Sequence, residues 1–489
     1  MRNLIEKKRR LLELFVLSFI TIFGIGSQFF SNLAYSLNQG VLQTSFGIGS
    51  EYLIIPSVVS NFAFAMGVPL GHIFTHRFGF KRNYLFFVFL FLLGSIMGLL
   101  SFDLVSLSIA KVTQSFSTGV LFFTLLPKLF ITFPRRYRNV FLMMVVVGLF
   151  GANALGGLSG SLSLELDKWH WLFIINIISS MLCLLLGYFL LTKEEYLRKT
   201  ETYISKSVIT LLILSTLAIA FPMSILTHAG WESVLVWAPL LLAVLFIINF
   251  ILFNARSEHP IIYFKSLLIK KPFVGAIMAI ASHLTLLSGI AGINIYIIRI
   301  LKLPFPISLR FYVFFFVGVL ITGVVKMFFY SSVGAGILGT IGATSILFVS
   351  VNWLILGRVV NVSFLYLQGI LLGFGTSMTL ISGAMATLLD GDLSRASERS
   401  QTMHILRNYS AAMFLPIIAY MMKSSVEKGV QSIDKEEIAS TSTYLEKMQE
   451  IAINSDHKIF VLMIILNIIM LASSITQIFL GKGRRITPL

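Results

Sequence analysis

GLFGANALGGLSGSLSLELDKWHWLFIIN, residues 148–176, is the stretch on which the fold is decided. Its first half sets small residues at Gly148, Gly151, Ala152, Gly156 and Gly157, a spacing that lets one apolar helix approach another closely inside a bilayer. A short segment with Glu165, Asp167 and Lys168 follows, then the aromatic run Trp169-His170-Trp171 and the apolar Leu172 to Ile175. Aromatic residues gather at the membrane–water interface. The stretch therefore reads as the end of one membrane helix, a brief aqueous turn and the start of the next.

The rest of the chain agrees with that reading. Of 489 residues, 56% are apolar and only 12% charged, and the mean hydropathy is +0.89. A water-soluble domain carries about a quarter charged residues, so this composition excludes one, along with disorder and coiled coils. The single cysteine, Cys183, excludes a disulfide framework or a CxxC motif. At roughly 20 residues per span, the length accommodates many spans. An apolar stretch from Leu11 to Leu33 follows the basic MRNLIEKKRR without a small-residue cleavage site, so it reads as an uncleaved first helix. Further apolar windows centre near residues 62, 92, 114, 149, 181, 216, 244, 286, 318, 343, 375, 413 and 469, about fourteen spans in all.

An even number of spans places both termini on one side. With the N-terminus inside, most of the 38 Lys and Arg residues fall in cytoplasmic segments, among them 75–83, 124–140, 192–207, 255–272, 326–334 and 388–408. That is the positive-inside pattern, and it accounts for the net charge of +17 without nucleic acid. Both termini are expected in the cytoplasm. TKEEYLRKTETYISKS (192–207) reads as a charged linker, and 424–458 as a long outer loop in which Tyr444, Met448 and Ile451 recur at helical spacing. The acids are expected to avoid the middle of the spans: Glu13 sits near the inner end of the first helix, Glu51 and Asp103 at outer ends and the others in loops or linkers.

The order and spacing of the 148–176 stretch resemble the fifth and sixth helices of the fourteen-helix drug:proton antiporters of the major facilitator superfamily, whose pattern is GP-x-x-GG followed by W-R-W-x-F-x-x-N. Ala152-Asn153 stands for Gly-Pro, Gly156-Gly157 matches, and His170 replaces the arginine. PLGHIFTHRFGFKRNY (69–84) resembles the superfamily's loop G-x-L-a-D-r-x-G-r-k through Gly71, Arg77, Gly79, Lys81 and Arg82, with Thr75 or His76 where the acid belongs. SIAKVTQSFSTG (108–119) resembles the fourth-helix pattern R-x-x-Q-G, with Lys111 for the arginine and Gln114 retained. ILRNYSAAM (405–413) resembles the thirteenth-helix pattern through Arg407.

The resemblance implies an all-α integral membrane protein of the major facilitator fold. Two six-helix bundles, 1–192 and 273–489, would flank two inserted helices in 193–272, and the substrate would bind near midplane where the bundles meet. It implies a monomeric secondary transporter in the cell membrane, exchanging a small molecule for protons, with no cofactor beyond the proton gradient. The position in the first helix where the family carries Asp falls near Ser27 or Gln28.

The polar groups at depth are basic or amide. Lys111 lies about seven residues, roughly 10 Å, from the outer end of its helix, and His283 about eleven residues, roughly 17 Å, into the ninth. Gln28, Asn32, Gln114, Asn153 and Asn294 could extend a polar cavity. His72 and His76 read as solvated loop residues. The loop cations Arg77, Lys81 and Arg82 could latch one conformation by pairing with helix ends. A buried cation without a buried acid attracts an anion or a neutral amphiphile, so the expected cargo carries a carboxylate, phosphate or catecholate, as a siderophore, fatty acid or lysolipid does. No Walker motif supports ATP-driven pumping. Uptake of an organic solute, or a multi-span membrane enzyme, are the competing readings.

Overall fold

The computed structural model describes residues 17–21, 35, 39–49, 52–132, 148, 151–152, 156, 160, 168–191, 205–389, 395–433 and 441–480. Among them the chain forms fourteen α-helices and no strand. They are α1 (Gln39–Phe46), α2 (Ile55–Phe78), α3 (Phe80–Leu99), α4 (Leu104–Thr132), α5 (Trp171–Leu190), α6 (Lys206–Ala229), α7 (Val234–Arg256), α8 (Phe264–Leu267), α9 (Lys270–Asn294), α10 (Phe305–Val333), α11 (Ala335–Leu354), α12 (Val362–Leu389), α13 (Ala396–Gln431) and α14 (Thr441–Phe479). A π-helical turn, Ile295–Ile300, continues α9. Twelve of these helices are long and apolar enough to cross a membrane, and each coincides with one apolar window. The windows at 11–33 and near 149 lie largely outside the described residues, as do Gln28, Asn32, Asn153 and Gly157.

Lipid cannot hydrogen-bond a peptide group, so each crossing segment closes its own backbone as a helix, and sharp reversals fall to glycine. Gly79, Gly230 and Gly334 have φ of 81°, 74° and 87°, the left-handed region that side chains with a Cβ avoid. Each joins two antiparallel helices within a few residues. We refer below to the Gly79 end and the Gly230 end of the molecule.

The start of α4 is capped by side chains. The Ser106 amide and hydroxyl both donate to Asp103 Oδ1, at 2.7 and 2.5 Å, and these bonds hold the carboxyl below its usual range. The cap is thus present above the ordinary carboxylate range and is lost only as pH falls through the lowered value. Asp103→Ala is expected to fray this turn, read as faster amide exchange of residues 104–107 with the rest of α4 unchanged.

Packing divides around two large apolar cores. One gathers Val68, Tyr84, Phe87, Val120, Phe122 and Cys183 from α2 to α5. The other gathers Met278, Phe311, Phe315, Trp353, Phe460 and Met463 from α9 to α14. Glycines bring backbones together in each. A Cβ on Gly71 would overlap the Val120 carbonyl of α4, and one on Gly373 of α12 the Phe315 carbonyl of α10. Helix α13 touches both sides, packing on α2 and α6 as well as on α9 and α14. A third cluster, with Phe62, Ile219, Met223, Val236 and Ala412, fills the space among α2, α6, α7 and α13.

Several expected loops are helix. Residues 69–84 hold no loop beyond Gly79, so Gly71, His72, His76 and Arg77 all lie on α2. His72 is half-buried, with its Nε2 3.1 Å from that of His76 one turn on. The expected outer loop 424–458 is also helical over most of its length: α13 continues to Gln431, α14 begins at Thr441, and the Tyr444–Met448–Ile451 spacing belongs to α14 itself. Lys326, read as a loop cation, is fully buried in α10, donating to Ser382 Oγ at 2.6 Å. Asp456, read as a loop acid, is fully buried in α14. In each case a neighbouring helix covers a polar segment that hydropathy alone assigns to water.

Candidate functional site

Four helices bring an uncompensated polar cluster together. On α13, His404 and Arg407 are three residues apart, a spacing that puts both side chains on one face, and Asn408 adjoins them. His283 approaches from α9, and the three ionisable groups lie within electrostatic reach of one another. From α4, Phe122 presents its ring 5.9 Å from the Arg407 guanidinium carbon. The same ring meets His404 edge-on at 4.9 Å, and Phe123 lies 6.2 Å from it. Phe64 of α2 packs behind Phe122 at 6.0 Å.

The cluster is buried and incompletely bonded. Arg407 is 4% exposed and donates to Asn408 Oδ1 at 3.3 Å. Four buried nitrogens, His283 Nδ1, His404 Nδ1, Arg407 Nε and Asn408 Nδ2, have no hydrogen-bond partner. Buried polar groups in folded proteins are nearly always paired, and a buried cation without a counter-charge is costly. Among the described residues the ion pairs are Arg358 with Glu446 and Glu450, and Lys423 with Glu427, none of them here. The guanidinium offers a planar fork that matches a carboxylate or phosphate, the imidazoles add further donors, and Phe122 and Phe123 form an aromatic wall.

Of the residues expected to share a polar cavity, the structure places His283 beside Arg407, which was expected only as part of the thirteenth-helix pattern. Lys111 is 2% exposed, so it does not reach toward the headgroups. Its ammonium lies 4.4 Å from the centre of the Tyr35 ring, and eleven residues of helix, roughly 16 Å, separate it from Phe122. Gln114 donates to Ser95 Oγ at 2.8 Å, tying α4 to α3. Asn294 accepts from the Tyr312 hydroxyl at 2.6 Å, tying α9 to α10.

The expected latch residues divide differently. Lys81 Nζ donates to the carbonyls of Tyr188 and Leu191 at 2.7 and 2.6 Å, capping the end of α5. That joins two helices of one core rather than the two cores to each other. Arg77 lies over the ring of its neighbour Phe78 at 5.7 Å, and Arg82 is exposed. Gly156 is a buried helical residue. Where the superfamily pattern has an acid, Thr75 shares a neutral network: Asn83 Nδ2 donates to both Thr75 and Thr124 hydroxyls, at 2.9 and 2.8 Å.

His404, Asn408 and Phe122 were not singled out from sequence. The usable signal was the i, i+3 pairing of His404 with Arg407, hidden because 388–408 reads as a polar connection rather than as the first turns of α13.

Comparison with known proteins places this architecture. No protein-family model matches the chain. The uncharacterised MFS-type transporter YubD of Bacillus subtilis is 25% identical over 479 residues, covering 96% of this chain and 89% of its own length. Over nearly its whole length the chain is similar to this MFS-type transporter. Its twelve described helices that are long and apolar enough to cross a membrane agree with that likeness. Shorter stretches of the chain are similar to drug-efflux proteins. The multidrug efflux pump SdrM of Staphylococcus aureus is 38% identical over 100 residues, 20% of this chain and 22% of that protein. Multidrug resistance protein 3 of Bacillus subtilis is 26% identical over 206 residues, 40% of this chain and 38% of its own.

Proposed function

We propose that this protein is a member of the major facilitator superfamily and a secondary active exporter of a small amphipathic compound bearing a carboxylate or phosphate, working by alternating access and coupled to protons. The observation that carries the reading is the set of four unpartnered nitrogens buried beside Phe122 and Phe123. An anion between Arg407, His404 and His283 would satisfy them, and its apolar part would lie on the aromatic wall. The cluster joins α4 to α9 and α13, helices of the two large cores, so a ligand there touches both moving halves. In this reading the two six-helix bundles are 1–192 and 273–489, the termini and the Gly79 end face the cytoplasm, and a monomer sits in the plasma membrane. The efflux pumps among the relatives support export. An inside-negative potential favours it too, driving one negative charge outward by about 2.3 kcal/mol per 100 mV.

The imidazoles support a second reading. An anion beside His283 and His404 favours their protonated forms, so anion and proton would bind together, as in proton-linked uptake. Reconstituted vesicles distinguish the two readings. Under an imposed pH gradient, a fluorescent aromatic carboxylate is expected to move against the proton flow, while a quaternary ammonium of similar size stays put. Movement of proton and carboxylate in the same direction would establish uptake instead, and transport of the ammonium alone would overturn the anion reading.

A further inference from the structure

Lys326 is a cation that the central cluster does not use. It lies on α10 two turns before Gly334, is fully buried, and donates to Ser382 Oγ of α12 at 2.6 Å. Its ammonium stands 5.4 Å from the centre of the Tyr330 ring, one turn further along α10. Tyr330 is also fully buried, and its hydroxyl has no hydrogen-bond partner. No nearby helix carries a balancing acid. Residues 270–389, which hold α9 to α12 and the segments joining them, contain no Asp or Glu, and α12 is the helix against which α10 chiefly packs. The ion pairs among the described residues, those of Arg358 and Lys423, lie elsewhere.

An ammonium has three N–H donors, and burying it without a counter-charge is costly. Ser382 accepts one of those donors and keeps its own hydroxyl hydrogen to give. Lys326 and Tyr330, four residues apart, share one face of α10. Three neighbouring groups thus offer donors, and none of them is an anion. The space between the helices is small. One turn before Lys326, Thr322 donates to the Phe374 carbonyl of α12 at 2.9 Å. One turn before that, Gly318 lets the Ile370 carbonyl close in. Helices held that close leave space for a single atom rather than for a carboxylate or phosphate with an organic part.

We propose that Lys326, Ser382 and Tyr330 form a binding site for a monatomic anion, a halide, between α10 and α12. The halide accepts from the ammonium and from both hydroxyls, which provides the missing counter-charge and occupies the Tyr330 donor. It fastens the last turns of α10 to α12, so the second core is more stable when the halide is bound. The site is separate from the central cluster, whose residues lie on α2, α4, α9 and α13. It does not depend on what the protein exports, and its test needs no transported compound.

Thermal melts of the full-length protein in detergent, with sodium chloride exchanged for sodium gluconate at constant ionic strength, test the site. The melting midpoint is expected to rise with chloride and then level off. In Lys326→Met the rise is expected to be lost. Tyr330→Phe removes only a hydroxyl that has no partner, so the packing of the ring is kept. In that variant the chloride concentration giving half the rise is expected to increase roughly 10-fold or more, as loss of one hydrogen bond to a charged group implies. Arg407→Met is expected to retain the full rise. A midpoint indifferent to chloride, an undiminished rise in Lys326→Met or an unchanged half-point in Tyr330→Phe would each overturn the proposal. So would loss of the rise in Arg407→Met, which would place the chloride in the central cluster instead.

Discussion

Arg407→Met is expected to weaken binding of a carboxylate-bearing substrate by roughly 10- to 150-fold while leaving the protein folded. The range follows from the about 1.5–3 kcal/mol that a hydrogen bond to a charged group contributes, at tenfold per 1.4 kcal/mol. Methionine keeps an unbranched apolar stem against Phe122, so the packing that Arg407 provides is largely retained. What disappears is a buried guanidinium with one neutral bond to Asn408 and an unpaired Nε. Replacing a poorly compensated buried charge by an apolar side chain is often neutral or stabilising. The melting temperature without ligand is accordingly expected to stay level or rise. Arg407→Lys would keep the charge but lose the planar fork, and its affinity should fall between the two. A binding titration beside a thermal melt checks both parts, and unchanged anion affinity in Arg407→Met would remove the cluster from the transport site.

The largest effect on folding is expected at the α10–α12 crossing. Gly373→Val would drive its side chain into the Phe315 carbonyl, and on the facing helix a Cβ at Gly318 would meet the Ile370 carbonyl in the same way. Both obstacles are backbone, so no rotamer change relieves them and the helices must separate. Separation opens the contacts around Phe311, Phe315 and Leu372. A cost of about 1–3 kcal/mol is the usual range for overpacking a core. Gly357→Ala is the matched control, because a Cβ there has no atom within 4 Å, and its effect should stay within about 0.5 kcal/mol. Thermal melts of the two variants in one detergent decide the matter. Equal midpoints would mean that the close helix approach contributes nothing.

The spans were legible because a hydrocarbon solvent enforces a simple rule: a stretch long and apolar enough to cross must be a helix. Each of the twelve described spans lies on an apolar window for that reason. The ends of the helices were less legible. Outside the hydrocarbon a helix continues or stops without any hydropathy signal, so 424–431 and 441–458 read as loop, although α13 and α14 run through them. The same ambiguity made residues 69–78 a loop when they complete α2.

The candidate site was half visible. His283 and Arg407 stood out, one as an ionisable residue deep in an apolar window and the other through a family pattern. His404 and Phe122 did not, because a histidine in a polar stretch and one phenylalanine among 44 carry no individual signal. Lys111, Gln114 and Asn294 did stand out, yet each is paired within its own core, to Tyr35, Ser95 and Tyr312.

By itself the sequence determined that this chain lives in a bilayer, approximately where it crosses and how its basic residues are distributed. Those properties depend on composition summed over consecutive residues. Only the tertiary structure decided which polar atoms lose their water. Asp456 is buried within electrostatic reach of a π turn about 160 residues away, and Arg407 is buried against an aromatic ring nearly 300 residues earlier. Burial is a property of the atoms that surround a group in space, and in a helical membrane protein those atoms come from distant segments.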